Sequence, residues 1–228
     1  MNSARSLVVA MGLILLSGQV TFAQDMSRYR SYVLESSLDA VVAASGARAA
    51  DATTVHVRPA TIQELQWRAP YVGSRAGSAD PVREIRFTFY NGALYQVIVN
   101  YDRHRTEGLT NDDVIESISA AYGVPLLASV GRPASPPPEA FADSIVLARW
   151  ESAESVLTLV RGNYVRELQL ILTSRALSPG ARSAIREAIR LDALEAPRRE
   201  AERREQAASD ASAALDQARI TNKDAFRP

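Results

Sequence analysis

The chain carries two histidines, His56 and His104, and no cysteine. Without thiols there are no disulfides, no Cys-ligated zinc, no iron–sulfur cluster and no thiol nucleophile. Two imidazoles are too few for a multi-His metal centre, so neither metal nor cofactor is expected. A serine-type mechanism needs a nucleophile, an imidazole and an orienting acid. The spacings that announce such sites, G-x-S-x-G and H-E-x-x-H, do not occur. His104, within Tyr101-Asp102-Arg103-His104-Arg105, reads as an exposed loop residue just past a strand. His56, within Thr53-Thr54-Val55-His56-Val57, belongs to a short strand or its edge. Either imidazole beside a carboxylate would suit a hydrolase, which is the enzymatic alternative. The paired carboxylates Asp112 and Asp113 stand at the start of a helix and complement its dipole. Gly73 to Gly77 (GSRAG) lacks the lysine and the strand-to-helix context of a phosphate loop.

Aromatic residues say more than ionisable ones. Trp67, Tyr71, Phe87, Phe89, Tyr90, Tyr95 and Tyr101 concentrate in the first half. Strand alternation puts Phe87 and Phe89 on one face and Tyr90 on the other. The same rule puts Tyr95 and Tyr101 together on the next strand. Trp and Phe suit the core. Tyr90, Tyr95 and Tyr101 with Arg86 form the candidate protein-binding surface, since Tyr and Arg dominate binding hot spots.

The elements that must position these residues come in two similar sets. LESSLDAVVAASG (Leu34 to Gly46) and LTNDDVIESISAAYG (Leu109 to Gly123) both read as capped helices. Ser36 with Asp39, and Thr110 with Asp113, have capping-box spacing. Leu38 with Val41, and Ile115 with Ile118, mark the core stripes. Gly46 and Gly123 suit the left-handed helix end. Three strands follow each helix: Ile62 to Trp67, Glu84 to Tyr90 and Ala93 to Tyr101, then Ile145 to Trp150, Ser155 to Arg161 and Tyr164 to Thr173. Asn91-Gly92 and Gly162-Asn163 are hairpin turns. Ser74 to Pro81 and Gly131 to Pro138 are loops, the latter stiffened by Pro136 to Pro138.

Beyond Ala176, Ser178 and Pro179 open a helix over Ala181 to Ala196. Arg182, Arg186 and Arg190 form its solvated face, and Ile185 and Ile189 its packing side. Pro197 breaks or restarts the helix. In Arg198 to Arg219 a weak coiled-coil seam recurs every seven residues at Leu194, Ala201, Ala208 and Leu215, with Ala211 and Ala218. The tail is expected to be helical and detached from the body, either as a solvated spacer or as a tether or oligomerisation strand that self-associates weakly through that seam.

Met1 to Ala23 has a basic start, the apolar run Leu7 to Leu16 and small residues at Thr21 and Ala23, the pattern of a secretory signal cleaved near Ala23. Ten apolar residues are too few to span a membrane, which takes about 20. A periplasmic or secreted protein with no later transmembrane span is expected. Lys+Arg and Asp+Glu are 26 each, so no field for nucleic acid is present. Hydrophobic residues at 46% allow a buried core.

Gly108-Leu109-Thr110, Val114, Ile118, Gly123 and Pro125, followed by Trp150, resemble beta-lactamase-inhibitor-protein-like and SmpA/OmlA-type units. The chain differs from them in lacking the inhibitor's disulfide cysteines and the lipoprotein's acylated cysteine. The resemblance implies a non-catalytic, exported protein-binding scaffold. The expected fold is α+β: two helix-plus-three-strand repeats forming a mostly antiparallel sheet covered by helices, then a helical tail. The boundaries read as a signal over 1–23, units over 24–106 and 107–177, and the tail over 178–228. A protein partner is expected; a small-ligand carrier with a pocket between sheet and helices is a third reading.

Overall fold

The computed structural model describes residues 25–69, 80–127, 144–162 and 167–226. The segment 1–23 read as a signal, the GSRAG loop and the Gly131 to Pro138 connector lie outside the described residues.

The fold is α+β. A two-residue hairpin, β1 (Arg28–Tyr29) and β2 (Tyr32–Val33), leads into α1 (Leu38–Ser45). A short 3-10 turn (Ala49–Asp51) precedes β3 (Thr53–His56), β4 (Ile62–Arg68), β5 (Val82–Tyr90) and β6 (Ala93–Tyr101). Then come α2 (Asn111–Tyr122), β7 (Leu126–Leu127), β8 (Ser144–Glu151), β9 (Ser155–Gly162), β10 (Leu168–Ser174) and α3 (Ser178–Ala225). One eight-stranded sheet has the order β3-β4-β5-β6-β10-β9-β8-β7, with every pair antiparallel. The last strands of the two halves, β6 and β10, meet at its centre. The strand edges are therefore β3 and the two-residue β7.

Local chemistry explains the ends of the helices. Thr110 caps α2: its hydroxyl accepts from the Asp113 N–H, and the Asp113 carboxylate accepts from the Thr110 N–H. In α1 the cap is Ser37, one residue later than the spacing of Ser36 predicts. Ser36 is engaged elsewhere, donating its hydroxyl to the Val33 carbonyl, while residues 35 and 36 bond to Leu94 of β6. Gly46 ends α1 at φ 70. At the β5–β6 turn Asn91 has φ 50 and Gly92 φ 82, the double positive φ that Asn-Gly supplies.

One sheet face packs under α1 and α2. Val41, Val114, Ile118 and Tyr122 of these helices share a core with Leu65, Ile85, Phe87, Phe89, Val97, Val99, Trp150, Leu157, Leu159, Leu168, Leu170 and Leu172. Two amphipathic helices and an alternating sheet thus bury each other's apolar surface. Trp150 also donates its indole N–H to the Gly123 carbonyl at 2.9 Å, tying β8 to the end of α2.

The third helix differs from expectation at three points. It is continuous for 48 residues and runs through Pro197. Proline removes the N–H that would bond the carbonyl four residues back. Arg199 bridges the same stretch, donating to the Asp192 carbonyl at 3.2 Å and to its carboxylate at 2.9 Å. Its packing side is Ala181, Ala184 and Ala188, all buried, whereas Ile189 is 51% exposed. Small residues let the helix approach closely: Gly180 lies so near Tyr90 that an added Cβ would meet its hydroxyl at 3.2 Å. Its N-cap position falls on Leu177, which makes no side-chain cap bond, and Ser178 is already inside the helix.

Candidate interaction surface

The four residues singled out as a binding surface do not lie together on one face. A bulge in β6 separates them. Phe89 pairs with Leu94 and Thr88 with Gln96, so Tyr95 is an extra residue. The bulge turns Tyr95 away from the core face. It is 6% exposed, and burial pushes its phenol up to about 12, with Glu64 and the Arg182 guanidinium of α3 nearby. Tyr101 stays on the core face, packed against the main apolar cluster. Burial raises its phenol well above the ordinary value, and Tyr29 and Tyr122 stand close by. Strict alternation, which places Tyr95 and Tyr101 together, fails because one inserted residue reverses the face of everything before it. Tyr90 is half-buried against the first turn of α3. Arg86 alone keeps a large exposed part, 41% of its side chain, 3.9 Å from Glu84.

Arg86 lies on the sheet face opposite α1 and α2. Strand register places Glu84 and Arg86 beside Asn100 and Ile98, and these beside Gln169 and Ile171. A small apolar cluster of Ile98, Val160 and Ile171 fills the centre of this face. Arg68 is 3.4 Å from Glu84, and Arg149 and Arg175 both pair with Glu151.

The two histidines have different surroundings. His104 is 88% exposed, and its Nδ1 is 3.9 Å from Glu107. His56 is mostly buried, with Nδ1 3.8 Å from Asp192 of α3. Val55, His56, Val57 and Arg58 of the β3 edge face Ala188, Leu191, Asp192 and Arg199 of α3 across a cleft of about 170 Å³. Arg58 pairs with Glu195 at its rim. Asp192 and Arg199 were not singled out from the sequence, because only the docking of α3 on β3 brings them to His56, and the same docking gives Arg58 its partner Glu195. Both cations of this cleft already hold carboxylates. Its lining offers no hydroxyl nucleophile, and its volume is below the ~300 Å³ at which small-molecule pockets begin. Among the described residues no group of three or more metal-ligating side chains converges.

The largest exposed feature is the far part of α3. Every described side chain from Ala196 to Phe226 is exposed. Thirty helical residues make about 45 Å of helix, at 1.5 Å each. Leu215 and Ile220 stand exposed on it, and Leu194 just before it. No described helix is long and apolar enough to cross a membrane. No family model, curated protein or solved structure matches the chain.

Proposed function

We propose that the chain is an exported, non-enzymatic protein-interaction scaffold of the bacterial cell envelope. The observation that carries this reading is the outstretched half of α3, a long helix with no tertiary partner among the described residues. A helix that is polar nearly all round gains little from folding alone and suits bridging to another molecule. The strand order supports treating 24–106 and 107–177 as two related units, each a helix followed by a meander, joined through β6 and β10. The resemblance to beta-lactamase-inhibitor-protein-like and SmpA/OmlA-type units, and export through 1–23, belong to the same reading. Crosslinking in the native envelope, followed by affinity purification and mass spectrometry, should recover one specific protein partner. Recovery of no specific partner removes the scaffold reading.

A second reading, an envelope hydrolase, draws on the single contact between His56 and Asp192. Hydrolysis of a broad ester and peptide panel that is abolished by His56→Ala would favour it.

A further inference from the structure

We infer that the exposed half of α3 pairs with the same segment of a second copy, antiparallel, with Ser212 near the two-fold axis. This rests on the reading of α3 as an interaction element and names its occupant. The seam at Ala201, Ala208, Ala211, Leu215 and Ala218 lies on one exposed face, with Leu215 73% exposed. Its flanking charges select the partner and its direction. Arg198 pairs with Glu202 and Arg204 with Glu200 along the helix itself. Glu205 and Arg219, both four residues beyond a seam position, form no ion pair among the described residues.

A parallel pair in register would stack Arg204 on Arg204 in the seam and set Glu200 beside Glu205 of the other chain. Both contacts repel. An antiparallel pair that places Ala208 opposite Ala218 and Ala211 opposite Leu215 removes both. It sets Arg204 opposite Asn222, polar against polar, and brings Glu205 beside Arg219 of the second copy. Two-fold symmetry makes that ion pair twice. Sliding the register by one heptad toward the bodies sets Arg198 against Arg219 of the second copy, two cations. Sliding it the other way loses the ion pair. The charge pattern is therefore self-complementary in one direction and one register. The folded bodies then sit at opposite ends of the pair, with no crowding between them.

The test is sedimentation equilibrium of the purified protein, comparing wild type with Glu205→Arg, Arg219→Glu and the double reversal. Wild type should show a concentration-dependent dimer. Each single reversal should weaken it by about tenfold or more, since each turns two attractions into two repulsions. The double reversal should restore it. Both residues are exposed, so thermal melts should show the body intact in all variants. The chain has no natural cysteine, so Ser212→Cys reports the axis directly: it should crosslink as a disulfide dimer, whereas Arg198→Cys should not. A monomer at all concentrations, a dimer indifferent to the reversals, or equal crosslinking at both positions overturns the inference. A monomer whose tail crosslinks to a different protein overturns it too, while leaving the scaffold reading standing.

Discussion

At the scale of single residues, burial decides what a side chain is for. Ile118 of α2 is nearly fully buried against the sheet, and a carboxylate there would have no partner. Ile118→Asp should destabilise the protein by more than about 3 kcal/mol, read as a large drop in melting temperature. An unchanged melt would remove Ile118 from the core. Arg30 holds Asp80 through two bonds of 2.7 Å, and the Val82 N–H donates to the same carboxylate. The Arg30 bond is the main reason the Asp80 carboxyl lies below its ordinary value. A depressed carboxyl stabilises the fold above the unfolded pKa of about 4 and loses that contribution as pH falls below it. Melts recorded down through that window should fall less steeply for Asp80→Asn than for wild type. Parallel curves would show that this pair adds nothing to acid stability. Gly92 at φ 82 makes a further case: Gly92→Ala should cost about 1 kcal/mol through backbone strain alone, because no atom lies within 4 Å of an added Cβ.

At the scale of elements, α3 joins two regimes in one helix. Its first turns are held by Ala181, Ala184 and Ala188 on the sheet and by Asp192 and Glu195 against the β3 edge, and the rest by its own backbone and by ion pairs along the helix. Such pairs contribute about 0.2–0.5 kcal/mol each. Pro197 stands where the first regime gives way to the second, and Arg199 spans it back to Asp192. Pro197→Ala restores the missing backbone donor, so amide exchange over the outstretched segment should slow and helical ellipticity should rise. Unchanged exchange would mean that the arginine bridge already compensates for the proline. The β3 edge shows a related economy. Its register shifts between Thr54 and His56, and this bulge disturbs an edge that would otherwise offer a β-branched run for pairing.

At the scale of the whole molecule, stability and reach separate. The core belongs to α1, α2 and the sheet, and among the described residues none beyond Ala188 is buried. Deleting 198–228 should leave the melting temperature of the body nearly unchanged, apart from the loss of the Arg199 contact to Asp192. A large drop would show that the outstretched helix packs on the body. N-terminal sequencing of the exported protein should begin near Gln24, and retention of Met1 would refute the reading of 1–23 as a cleaved signal.

Most of the secondary structure was legible in the amino-acid order, because alternation, capping and Asn-Gly turns act over a few residues. Ala93–Tyr101 was expected with those bounds, and the Thr110 box and Gly46 end formed as their chemistry requires. The missed strands β1, β2 and β7 have two residues each, too short to carry a period. Three matters were decided only by tertiary structure. The bulge at Tyr95 depends on its pairing with β5, and it dissolved a surface that alternation alone had assembled. The helix α3 runs on through Pro197, where a local reading of proline expects a break. The meeting of His56 with Asp192 joins residues far apart in the chain, and nothing local to either encodes the docking of α3 on β3. Local patterns choose the elements because their energies are local; which faces meet is set by burial summed over the entire molecule.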